Sequence, residues 1–279
     1  MAVTGHFINK ETLEFYSILI QCAAVEGNHT GERIADELRV IFAEWAISDK
    51  VNFIVTDNAA NMRAAARILE ISHFGCFAHK LNLIVQTALA DDAISQTIAK
   101  VRHIPTRWNS TYQMLERFAS LQEALRATIP NLNEDLPVIP LEEWNYLEKC
   151  AAILKPFEEI TNELSSATAT VASVIPLIYT LKNTLEAEKI KEDTSENFKL
   201  MVTKMIHNIS GRFQDIENNK IYTIATYLDP RYKLKFFTEI TKEQVQSETL
   251  RILGCSRTSQ DEGPSYTTNY LLTSTNGDF

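Results

Sequence analysis

The run VNFIVTDNAANMRAAARIL, residues 51–69, decides how the first part of this chain folds. Its opening five residues, Val51 to Val55, are a short apolar run rich in β-branched side chains, of the kind buried in a mostly parallel sheet. The Ala-rich stretch that follows favours a helix. Asp57 stands at the handover, where a carboxylate can accept hydrogen bonds from the first free N–H groups of the helix. The ordinary reading of Asp57 is therefore a helix N-cap.

Upstream, Phe15 to Cys22 (FYSILIQC) reads as a strand, and Gly31 to Ala46 as a helix with Ile34, Leu38, Ile41, Phe42 and Trp45 at helical spacing. Downstream, Phe77 to Ala90 places Leu81, Ile84, Val85 and Ala88 on one helix face. This is an α/β pattern, and it gives way to helices near Tyr112. Leu141 to Leu164 repeats Leu141, Trp144, Leu147, Ala151, Leu154 and Phe157 every three or four residues, and Ser195 to Phe213 repeats Phe198, Met201, Val202, Met205, Ile209 and Phe213. Pro156, and Pro176 within Thr170 to Ile190, predict kinks or breaks. Ile221 to Leu228 stops at Asp229-Pro230. After Leu253 the chain turns polar and loop-like. The expected organisation is an α/β region over 1–111, a helical domain over 112–253 and a disordered tail over 254–279.

Composition narrows the function classes. With 36 acidic and 27 basic residues the formal net charge is -9, which disfavours a surface that clings to nucleic acid everywhere, since phosphate binding rests on clustered Lys and Arg. DNA contact is expected only locally. Cys22, Cys76, Cys150 and Cys255 form no CxxC pair, so a disulfide framework and an all-cysteine zinc site are not indicated. Neither a signal peptide nor an apolar run of the roughly 20 residues needed to span a bilayer is visible. A soluble intracellular protein without a small-molecule substrate is the expectation.

Five segments in fixed order carry a resemblance: HTGERIADEL (29–38), VNFIVTDNAANM (51–62), CFAHKLNLIVQTAL (76–89), TRWNSTYQMLERF (106–118) and IATYLDPRYKLKFF (224–237). Together they resemble the hAT-superfamily transposases, above all the transposase-derived bodies of zinc-finger BED proteins. The resemblance covers roughly Val3 to Phe237. It implies a ribonuclease-H-like fold interrupted by a helical insertion, with two aspartates and a glutamate holding two Mg ions for DNA strand cleavage and transfer. Asp57 matches the second of those aspartates. The first belongs to an opening strand, in a segment resembling DxWTS that would precede Thr4, and the glutamate to a helix that would follow the present C-terminus.

The fold expected is thus α/β plus α, a partial ribonuclease-H-like sheet lacking its central opening strand and exposing edges, then a mainly helical domain. Only Asp91 to Pro105 separate two motifs that in the family lie several tens of residues apart, as if a helix and its return were deleted. Asp57 is expected to be a single surviving ligand of an inactive acidic triad, with no cofactor held by this chain. Arg107, Trp108 and Asn109 match a family motif whose tryptophan stacks on a flipped base; the alternative is a core tryptophan opening a helix. Cys76 and His79, spaced C-x2-H, are either half of a zinc site, with His73 and His103 as further candidates, or a packed pair steadying the sheet edge beside Asp57. The resemblance implies a nuclear binding or regulatory protein that associates with itself or other proteins, the rival readings being an active transposase completed from elsewhere and a decayed element.

Overall fold

A computed structural model describes residues 1–22, 24, 27–90, 92–101, 108–131, 139–166, 169–191, 195–258 and 270–275. The chain is mostly helical with one small sheet, and it divides into two compact units. One comprises Met1–Lys80 with Ile252–Phe279, the other Leu81–Arg251. The division falls earlier than the expected boundary at residue 111, and the C-terminal segment goes with the sheet.

The sheet unit contains β1 (Ala2–Ile8), β2 (Phe15–Cys22), α1 (Gly31–Glu44), β3 (Val51–Thr56), α2 (Ala60–Ile68) and β4 (Ser72–Gly75). The helices α3 (Phe77–Leu89), α4 (Asp92–Val101), α5 (Trp108–Ser120), α6 (Gln122–Thr128), α7 (Leu141–Leu164), α8 (Val174–Lys189), α9 (Glu196–Arg212), α10 (Lys220–Leu228) and α11 (Glu239–Thr258) follow. The strand β5 (Tyr270–Thr275) comes last. The strand order is β2-β1-β5-β3-β4. β1 is antiparallel to both β2 and β5, whereas β3 is parallel to both β4 and β5.

Tyr270–Thr275 lies inside the expected disordered tail yet forms the middle strand, and α11 runs on to Thr258. The segment YLLTST is uncharged and combines aromatic, aliphatic and β-hydroxy side chains, so it suits a strand once two neighbours are available. The central position expected to be empty is therefore filled from the far end of the chain. β1 and β4 are not legible as strands in the sequence: AVTGHFI does not alternate apolar with polar residues cleanly, and β4 has only four residues.

One face of the sheet packs on α1 and α2 through Val3, Ile20, Ile34, Leu38, Ile41, Phe42, Ile54 and Met62, all buried. Thr30 caps α1, its hydroxyl accepting from the Arg33 N–H at 3.4 Å. Trp45, placed in the α1 stripe by its spacing, ends the helix instead and is 46% exposed. The two helices approach closely at Gly31, where an added Cβ would lie 2.6 Å from the Ala64 Cβ and 3.2 Å from the Asn61 carbonyl oxygen. The Asn61 amide donates to the His29 carbonyl at 3.0 Å and fixes the same crossing.

In the helical unit α7 has the expected bounds, and Trp144, Leu147, Ala151, Leu154 and Phe157 are buried as its spacing requires; Leu141, at the first turn, is exposed. The helix runs through Pro156 without a break. Pro176 is likewise accommodated, at the third residue of α8, where a backbone N–H has no partner within the helix anyway. Phe118 stacks on Trp144 with ring centroids 4.8 Å apart, and Tyr146 meets Phe198 edge-on at 6.0 Å. Ser195 caps α9, and α10 ends at Leu228 with Asp229, just before Pro230, as its extended C-cap.

Candidate functional site at the end of the third strand

The end of β3 is built by side chains folding back on their own backbone. Thr56 is buried, and its Oγ1 lies 2.8 Å from His73 Nε2 on the neighbouring strand β4. The same oxygen accepts the Asn58 N–H at 3.2 Å, and the Thr56 carbonyl accepts the Cys76 N–H. Asn58 has φ +71°, a left-handed conformation that Asn tolerates better than most residues. Gly75 leaves room for it, since a Cβ there would sit 3.3 Å from the Asn58 Cβ.

Asp57 is half-buried at this turn, and its Oδ1 accepts the Ala59 N–H at 3.0 Å. That is an Asx-type turn preceding the helix. α2 begins at Ala60 with Ala59 in the cap position and no side-chain cap, so the N-cap expected of Asp57 is not what forms. The extra turn shifts the helix start beyond the reach of its carboxylate. His73 is held below its ordinary range chiefly by burial and next by the positive charge of Arg63, with Asp57 pulling the other way. It is therefore neutral near pH 7, and one ring nitrogen is engaged by Thr56.

The remaining expected residues divide between the two units. Cys76 and His79 are half-buried at the start of α3, with the Cys76 backbone tied to the end of β3. Among the described residues no group of three or more His, Cys, Asp or Glu side chains converges as a metal site. His103 and Arg107 lie outside the described residues. Trp108 belongs to the helical unit, opens α5 and is 5% exposed. In this conformation it is a core tryptophan, and a base could stack on it only after the ring was uncovered. Asn109 is half-buried beside it, its Oδ1 buried without a hydrogen-bond partner.

Sequence reasoning missed the role of Thr56, whose hydroxyl binds His73 on β4 and accepts the Asn58 N–H of the turn; His73 entered only as a distant zinc candidate. It also missed a cleft of about 520 Å³ in the helical unit, lined by Glu217, Lys220, Thr241, Glu243 and Glu248 among others. The cleft's carboxylates are largely satisfied from within. Thr241 Oγ1 donates to Glu217 at 2.9 Å, while Lys220 and Arg251 both donate to Glu248 and hold it down to about 2.

Residues 1–80 match the family model of the ZBED1 RNase-like domain. Zinc finger BED domain-containing protein 4 of Homo sapiens is 25% identical across 95% of this chain, and the putative AC transposase of Zea mays is 26% identical across 90% of it. The chain is thus similar both to a BED zinc-finger protein and to a protein named as a transposase. A putative transcriptional regulator, tpeD, of Talaromyces stipitatus is 24% identical over 85% of the chain. The chain spans 26%, 37% and 34% of the lengths of these three relatives, respectively. Among the described residues no helix is long and apolar enough to cross a membrane.

Proposed function

We propose that this chain is a catalytically inactive body of a domesticated hAT transposase, with a nuclear binding or regulatory role exercised through local DNA contact and protein association. Its sheet unit is read as a partial ribonuclease-H-like fold and its helices as the insertion domain. The observation that carries the reading is the isolation of Asp57. A pair of divalent cations needs several carboxylate oxygens. Among the described residues the β3 end instead offers one carboxylate already accepting a backbone N–H, a neutral histidine bound to a threonine, and the cationic Arg63 acting on that histidine. These residues do not fit a Mg pair.

Association with DNA is supported by relatives named as transposases and BED zinc-finger proteins, and the acidic net charge of -9 keeps any such contact local. A second reading rests on the limited span of the match: the chain covers 37% of the putative AC transposase, so a longer polypeptide has room for further carboxylates. Purified chain incubated with hairpin-ended DNA and Mg or Mn tests both readings. The inactive reading expects no metal-dependent cleavage and weak, salt-sensitive binding. Cleavage abolished by Asp57→Ala would establish the second.

A further inference from the structure

β5 differs from every other strand of the sheet in how it is held. β1 pairs with its sequence neighbour β2, and β3 with its sequence neighbour β4. The two pairs do not touch each other in the strand order. Within the sheet they are joined by Tyr270–Thr275, antiparallel to residues 2–7 on one side and parallel to residues 51–55 on the other. With β5 withdrawn, β1 and β3 would each present a row of unpaired N–H and C=O groups, and each two-stranded piece would be marginal alone. The gap thus has the properties of a strand-acceptor site: two facing edges of fixed polarity that bind an extended, proline-free segment by main-chain hydrogen bonds.

We propose that this gap is an exchangeable strand-acceptor site and that it takes Tyr270–Thr275 from a second copy of the chain. Three observations favour that occupant. The incoming segment is uncharged and proline-free, so it enters two edges at once without a charge penalty. It is tethered through the eleven residues 259–269, which include Gly263 and Pro264 and can span up to about 36 Å when extended. Every copy carries both the segment and the gap, so reciprocal exchange closes into a two-fold pair and leaves neither β1 nor β3 unpaired on its inner side. The strand's own gap has the advantage of a high effective concentration, so exchange is expected to grow with protein concentration.

Paired positions in the β1–β5 register allow a direct test on the full chain, because Thr4 faces Thr273. Chains carrying Thr4→Cys alone and Thr273→Cys alone are mixed, unfolded, refolded together at high concentration and oxidised, and the disulfides are mapped by mass spectrometry. The proposal expects a 4–273 disulfide between chains in a dimer-sized species whose fraction rises with concentration. The double variant, refolded dilute, is expected to form the same disulfide within one chain. A linkage found only within the double variant and never between single variants would overturn exchange. Its absence from both would overturn the acceptor site itself. Val55→Cys, whose partner position across the parallel edge is also 273, replaces Thr4→Cys if that variant fails to refold.

Discussion

The two units reach stability by opposite routes. The helical unit draws its core from consecutive helices whose apolar stripes are long and regular; Leu147, Leu154, Phe157 and Leu185 are fully buried. The sheet unit gathers strands from both ends of the chain, and its middle strand arrives last. Local contacts form at small entropic cost, whereas a strand paired across more than 200 residues must first close that loop. A helical unit can thus be specified by near neighbours in sequence, while a sheet depends on segments from distant parts of the chain.

The largest expected effect sharpens this contrast. Phe157→Ala removes a fully buried ring from α7 and should cost about 3–5 kcal/mol. Hydrogen exchange followed by mass spectrometry should show the loss of protection within residues 81–251. Equal loss in 1–80 would mean that the two units unfold as one and would break the comparison. Next in size, Gly31→Ala places a methyl group against Ala64 and the Asn61 backbone, and should destabilise the sheet unit by about 1–3 kcal/mol in denaturant titration.

The units should also differ in their response to pH. His6 and His73 have folded-state values lowered by burial, and both lie in the sheet unit. The unfolded chain then binds protons more readily, so their contribution is present above about 6.5 and is lost as pH falls below it. In the helical unit Tyr112 and Cys150 are each pushed up to about 12, chiefly by burial, with the Glu116 hydrogen bond adding to the shift at Tyr112. Their contribution is present at neutral pH and is lost as pH rises beyond their ordinary values toward 12. Amide-exchange protection recorded across a pH series should therefore fade first in 1–80 on the acid side and first in 81–251 on the alkaline side. The smallest effect belongs to Asp57→Ala, which removes one turn hydrogen bond and should cost about 0.5–1.5 kcal/mol.

Legibility in the sequence followed the same divide. α7 and α9 could be read almost to the residue because Leu147, Leu154 and Met201, Met205 recur at helical spacing over many turns. β3 and the helices around it were also legible, as was the similarity to transposases and BED zinc-finger proteins that five ordered motifs carry. β5 was not, since a six-residue strand gains its identity from two partners more than 200 residues away and not from its own pattern. At the candidate site Asp57 could be located but its bonding could not. Whether a carboxylate caps a helix or closes a turn depends on a one-residue choice of backbone, here set by Asn58 in the left-handed region.

The account turns on whether the β3 end can support metal-dependent chemistry. Isothermal titration of Mg and Mn into wild type and Asp57→Ala, run alongside cleavage of hairpin-ended DNA by both proteins, reads this directly. We predict no stoichiometric metal binding and identical, background-level cleavage for the two chains. Two metal ions bound per chain, with cleavage lost on replacing Asp57, would contradict it.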